Sequence, residues 1–205
     1  MNGLFSKVGI LAGLAAALSL PASAGTTTYQ IDPRHSSAGF GVTHLMISTV
    51  RGEFHGVTGT VVIDDSDVSK STVSVTIDAT TVDTREPDRD KHLKSEAFFD
   101  VSKFPTITFQ STKIERNNDG SLKITGDLTI RGVTREIELD VTLQGRGMDP
   151  WGNERAGFEA KGKINRTDFG LTWNQALEAG GVVVGEDVKL SIDVELVKQA
   201  VAKAA

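Results

Sequence analysis

The chain has 205 residues, 22 Lys and Arg against 27 Asp and Glu, a formal net charge of −5, and no cysteine. The acidic balance argues against a nucleic-acid partner, which wants a basic stripe. Without cysteine there is no disulfide, no thiol nucleophile and no thiolate metal site, so stability must come from the core.

Residues 1–24 read as a cleaved secretory signal peptide. Lys7 gives a basic start, residues 8–20 are apolar and small, and Ala22-Ser23-Ala24 is a small-x-small cleavage site. The apolar run is too short to span a bilayer, and no Cys stands at the cut to carry a lipid. Export to the periplasm is the expectation. About 181 residues remain, enough for one β-domain over residues 25–205.

The mature chain then alternates. Residues 29–31 form a short first strand stopped by Asp32-Pro33, and residues 36–45 a second with a nearly bare glycine face. Residues 49–55 and 57–64 follow, with Gly52, Gly56 and Gly59 spaced along them, which suits a bent barrel better than a flat sandwich. Residues 71–82 alternate Val73, Val75, Ile77, Ala79 against Ser74, Thr76, Asp78, Thr80. Residues 84–99 break this rhythm. Pro87, with Glu86, Asp88 and Asp90 around it, predicts a short helix over residues 87–95 that covers a mouth or flank of the barrel.

Pro105 ends that insertion and a strand runs from about 107 to 116. Asn117-Asn118-Asp119-Gly120 is a turn. Residues 122–143 form the clearest hairpin in the chain. Leu122, Ile124, Leu128 and Ile130 share one face of its first arm, Ile137, Leu139, Val141 and Leu143 one face of its second, and Gly132 supplies the turn. Residues 145–155 read as a longer loop holding Trp151, residues 158–164 as a strand, residues 165–186 as irregular, residues 188–196 as the last strand, and the tail from 199 as frayed.

Eight or nine strands joined mostly by short turns predict an all-β, antiparallel barrel. About eight strands enclose a space that side chains just fill or that one slim ligand occupies. The small inner residues Ala38, Ala79, Gly126, Ala160 and Gly162 either leave a channel or interlock with neighbouring Phe and Leu; parity alone does not choose.

Several segments resemble the YceI-like family. They include Tyr29-Gln30-Ile31-Asp32-Pro33, Val42-Thr43-His44-Leu45, Val50-Arg51-Gly52-Glu53-Phe54 and Arg89-Asp90-Lys91-His92-Leu93. Further along come Phe98-Phe99-Asp100, Leu128-Thr129-Ile130-Arg131-Gly132-Val133-Thr134, Asp149-Pro150-Trp151-Gly152, Leu171-Thr172-Trp173-Asn174 and Val184-Gly185-Glu186. The resemblance covers the mature chain in order. It implies an elongated, lipocalin-like, eight-stranded barrel whose apolar pore holds a polyisoprenoid or similar long-chain lipid. That resolves the choice above in favour of a channel.

By parity, Phe40, Val42, Val73, Val75, Ile77, Phe109, Leu128, Ile130, Leu139, Val141 and Ile192 are expected to line that pore, or else to be plain core. Phe98, Phe99 and Phe104 are expected to gate it or to plug the helix in place. Trp151 and Trp173 suit a lipid–water boundary or a packed core site. His44, Arg51, His92, Arg166 and Asn174 lie in the resembling segments and are candidates for a polar head group, Arg51 through its forked donors; local bonding is the alternative for each. Arg89 and Asp90 read as ties for the helix. No nucleophile-elbow pattern is present, and no HxH or HxxxH spacing joins His35, His44 and His55 into a metal site. The expectation is therefore a binding protein, with no catalytic residue, metal or cofactor beyond its lipid, no stable membrane insertion, and room for a homodimer. A lipid-modifying enzyme and a solid barrel without ligand are the alternatives.

Overall fold

A computed structural model describes residues 25–178 and 180–199. The expected signal peptide and the tail from residue 200 lie outside the described residues. The chain forms β1 (Thr26–Ile31), β2 (Ser37–His44), β3 (Ser48–Phe54), β4 (Val57–Asp64), β5 (Thr72–Asp78), α1 (Pro87–Lys94), β6 (Thr106–Arg116), β7 (Leu122–Ile130), β8 (Val133–Met148), β9 (Glu154–Asn165) and β10 (Val184–Lys198).

Ten strands make eight staves. β1 pairs with the end of β10, Ile31 opposite Leu196, and β2 pairs with its earlier part, Ser37 opposite Asp193. The two are thus halves of one long stave, broken where Pro33 withholds its N–H. β3 and β4 pair with β2 and β1 in turn, and are halves of a second stave. Its break falls at Gly56, whose φ of 65° puts it in the left-handed region. The ring runs β4-β5-β6-β7-β8-β9-β10 antiparallel and is closed by β1 between β10 and β4. The expected eight-stranded antiparallel barrel is the observed fold. Closure leaves each stave one oily inner face, and along β7 the inner residues Ile124, Gly126, Leu128 and Ile130 are buried while Asp127 is exposed.

One half of the barrel is not walled by strands alone. β3 has β2 on one side, but on the other, among the described residues, only a single bridge, Glu53 to Asp83, with both N–H···O contacts at 2.9 Å. Residues 79–105 cover that flank. A 3-10 turn (Ala79–Thr81) ends the β5 stave early, and α1 follows. Pro87 sits in the first turn, the Glu86 side chain accepts from the Asp88 N–H, and Lys91, His92 and Lys94 occupy the last turn, where cations favour the dipole. The insertion is tied down by Arg131, which donates to the carbonyls of Glu96 at 2.8 Å and Gly170 at 3.2 Å. Arg131 itself stands in the β7–β8 turn with φ 51° beside Gly132 at 74°, the two positive values a type I′ hairpin requires.

The structure moves several expected boundaries. β8 runs to Met148 and β9 begins at Glu154, so the long loop around Trp151 shrinks to a tight turn. Asp149 holds that turn by accepting from Trp151 N–H at 3.0 Å and Asn153 N–H at 2.8 Å. β10 starts four residues before the expected strand because Asn174 bonds both backbone groups of Val184. Ala79 is not a pore residue: it lies in the 3-10 turn, its N–H bonded to the Pro105 carbonyl at 2.9 Å.

A charge cluster pins the seam where β1 meets β10. Arg155 on β9 donates to Asp32 at 2.7 Å, Asp149 at 2.8 Å and Glu195 at 2.5 Å, and His35 faces Asp32 at 2.9 Å. Burial alone would raise the Asp32 carboxyl, but hydrogen bonds from Arg155 and His35 outweigh it and hold the group at about 2. Asp149 is lowered as well: its burial is outweighed by the bonds from Asn153 and Arg155.

Two outcomes are expected. A carboxylate depressed on folding contributes stability above its unfolded pKa and loses it as pH falls through the folded value. The thermal midpoint should therefore drop steeply between about pH 4 and pH 2; Arg155→Met should start from a lower midpoint at pH 7 and show a shallower fall over the same window. At Gly126 an added Cβ would lie 2.5 Å from the Phe109 ring and 2.6 Å from the Gln110 carbonyl oxygen. Gly126→Ala should cost about 1–3 kcal/mol, read from the urea midpoint, because the Phe109 ring can give way into the barrel but the Gln110 carbonyl is held in the β6–β7 ladder.

Candidate functional site

The oily faces do not fill the barrel. Two partly open cavities of about 380 Å³ and 280 Å³ lie end to end within it. The larger alone falls within the ~300–1,000 Å³ usual for ligand pockets. Ile77, Leu128, Leu190 and Ile192 line both, so these four side chains form a waist between the chambers. The interlocking alternative holds locally: Gly126 is backed by Phe109, and a Cβ on Gly162 would meet Leu139 at 2.8 Å. Ala38 and Ala160, by contrast, face open space, one in each chamber.

Val73, Val75, Ile77, Phe109, Leu139 and Val141 line the first chamber, as the parity of β5 to β8 predicts. Its outer end carries Asp64 at the end of β4 and Asp65 just after it, Arg116 at the end of β6 and Arg146 on β8. Phe40, Val42, Phe98, Phe99, Ile130 and Trp173 line the second chamber, under α1. Aromatic contacts tile this chamber: Phe40 to Phe54 at 5.6 Å, Phe54 to Phe99 at 5.3 Å edge-on, and Phe98 to Trp173 at 5.4 Å. Leu128 and Ile192 stand at the waist.

Phe104 and Trp151 line neither chamber. Phe104 packs under the hairpin turn, 2.8 Å from where a Gly132 Cβ would sit, and Trp151 is 80% exposed in the tight 149–153 turn. Bending of the chain after Met148 puts that indole outside the barrel, because the turn is too short to fold it back.

The polar candidates also divide. His44 at the end of β2, His92 on α1 and Arg166 after β9 all line the second chamber. His92 stands edge-on to Phe98 at 5.0 Å and to Trp173 at 4.9 Å. Arg166 is 4% exposed, and its guanidinium donates to the carbonyls of Gly185 at 2.8 Å, Val184 at 3.2 Å and Leu171. Burial works against its charge and lowers its pKa, which Glu186 partly offsets. Asn174 is a backbone staple and Arg51 is exposed on β3; neither lines a chamber. Arg89, read from sequence as a helix tie, does tie Thr84, with its Nε 2.7 Å from the hydroxyl, and lines the second chamber as well. Leu190 was within reach of the same parity that placed Ile192; Arg89 carried no such signal.

Among the described residues, Asp32, His35 and Glu195 bring metal-capable atoms within 4.8 Å of one another. The Arg155 guanidinium already bridges Asp32 and Glu195, so this is an ion-pair clamp on the outside of the pore. The two tryptophans give a direct check on the chambers. An apolar fluorescent probe bound inside should quench or shift emission in Trp151→Phe, which retains the indole lining the pore. The same probe should leave emission unchanged in Trp173→Phe, whose remaining indole faces water.

Comparison with known proteins agrees with this geometry. Residues 29–196 match the model of the YceI-like domain. Protein YceI of Salmonella newport is 42% identical over 188 residues, covering 91% of this chain and 95% of its own length. The crystal structure of the Campylobacter jejuni YCEI protein is 34% identical with a TM-score of 0.65, over 77% of this chain and 90% of that one. Two more distant structures share the fold: BcnA of Burkholderia cenocepacia at 19% identity and TM-score 0.70, over 80% and 98% of the two chains, and a polyisoprenoid-binding domain from Saccharophagus degradans at 14% identity and TM-score 0.62, over 83% and 98%. With a full-length relative at this identity and a family match across nearly the whole barrel, the chain belongs to the YceI-like family.

Proposed function

We propose that this protein binds a polyisoprenoid or similar long-chain lipid in its barrel, and carries, stores or buffers it by shielding the chain from water. The observation that carries this reading is the pair of adjoining apolar chambers, joined at a waist of four aliphatic side chains. Each CH₂-sized group moved from water into such a space gains about 0.8 kcal/mol. A long tail therefore gains many such increments before ordering costs. This attraction is non-directional, so the pore selects for width and length while the polar end of the ligand is read elsewhere. The Saccharophagus degradans neighbour is a polyisoprenoid-binding domain, and its shared fold supports the ligand class. Binding is proposed without covalent chemistry, metal or further cofactor. The apolar leader at residues 1–24 supports export and a periplasmic setting. No described helix is long and apolar enough to cross a membrane.

Organic extraction and mass spectrometry of natively purified protein should yield about one long-chain lipid per chain. Ala160→Trp, which fills the first chamber, should keep its thermal midpoint within a few degrees and lose the lipid. A native protein that is lipid-free and stays so when offered prenyl lipids would end this reading.

A further inference from the structure

The two chambers differ in charge. The polar residues of the first include two carboxylates, Asp64 and Asp65, and two guanidiniums, Arg116 and Arg146, so its fixed charges balance. Among the described residues, the second is lined by two guanidiniums, Arg89 and Arg166, and two imidazoles, His44 and His92, and by no carboxylate. This is the reverse of the whole chain, in which 27 acids outnumber 22 bases.

Neither guanidinium is neutralised locally. Among the described residues, no carboxylate oxygen lies within 4 Å of Arg166 or Arg89, whereas Arg155 gathers three. Glu186, the acid that acts on Arg166, is exposed. Three of the five N–H donors on Arg166 go to backbone carbonyls, which leaves two without a partner among the described residues. Arg89 places two donors on Thr84, and the nearby Asp90 turns its Oδ1 to the Thr84 hydroxyl at 2.5 Å and N–H at 2.8 Å rather than to the guanidinium. Arg166 is buried, and a buried cation is expensive without a counter-ion, more so beside apolar walls; Arg89 is half-buried at the rim of the same chamber. Guanidinium donors in a forked array match the oxygens of a phosphate or carboxylate.

We infer that the chamber under α1 receives the oxyanion head group of an acidic lipid, with the hydrocarbon tail passing the Leu128–Ile192 waist into the first chamber. The inference rests on the carrier reading above and deepens it: the pore is polarised, and the ligand enters it in one orientation. Arg166 and Arg89 supply the counter-charge, and His92 and Trp173 offer N–H groups at the same end. Charge-assisted hydrogen bonds of this kind separate an anion from its neutral analogue by tenfold or more.

The test compares geranylgeranyl pyrophosphate with geranylgeraniol, two probes with one tail, by isothermal titration to delipidated protein. Wild type should bind the pyrophosphate at least about tenfold more tightly. Arg89→Gln should bring the two affinities within about threefold, mainly by weakening the pyrophosphate. Arg166→Gln should do the same, and since its guanidinium also holds three carbonyls, Arg89→Gln is the variant on which the result stands. Arg51→Gln, on the exposed face of β3 and lining neither chamber, should leave both affinities unchanged. Equal binding of the two probes to wild type, or a preference that survives Arg89→Gln, would overturn the head-group assignment and leave the pore reading intact. Failure of both probes to bind would overturn the pore reading as well.

Discussion

The barrel depends on a short seam. β1 meets β10 through Tyr29, Gln30 and Ile31 opposite Lys198, Val197 and Leu196, and every other neighbour in the ring is paired over a longer run. If that contact opened, the sheet would have two free edges, and its inner face would open to water. The charges around Arg155 sit at this junction and join β9, β10 and the turn after β1. Removing one partner would strand the others, so the cluster holds register as a unit. Tyr29 adds to the same seam, its hydroxyl donating to Glu154 at 3.0 Å.

The interior follows from how the staves are built. Two of the eight are broken, at Asp32-Pro33 and at Gly56, so the wall changes course partway along its length. Beyond the breaks, β3 lacks a full strand neighbour and the helical insertion takes its place. The result is a barrel with unlike halves. One is a closed ring of strands around a mainly aliphatic chamber whose fixed charges balance; the other is part sheet, part helix, and is lined with aromatic rings and cationic side chains. The proposed tail site and head site fall one to each half, on either side of the four shared side chains.

Much of this was legible in the residues. The alternation along β7 and β8 named which side chains face inward, and the structure buries Ile124, Leu128, Leu139 and Val141 accordingly. Pro87 and its acidic neighbours marked the helix within one residue. What period-two reading missed has a common cause. Parity tells which face a side chain takes, but not whether the chain has left the sheet. Ala79 continued the β5 pattern yet lies in a 3-10 turn, and Trp151 stood in a familiar segment yet faces solvent. Small residues were equally ambiguous, since Gly126 is packed by Phe109 from the adjoining strand while Ala160 borders open space. Arg89 was out of reach because its placement depends on how α1 lies across strands distant in sequence.

The seam has a consequence for connectivity. Tyr29 lies opposite Lys198, and the Gln199 N–H donates to the Thr28 carbonyl at 2.8 Å, so the two ends of the sheet lie one strand spacing apart. A few added residues would join them as a hairpin, and cutting the exposed turn at Asn118 and Asp119 would provide new termini. In that circular permutant, closure would be made by neighbours in sequence rather than by the first and last strands. Ring formation would then carry a far smaller loop entropy, while the long β6–β7 pairing would inherit the role of the last contact to form.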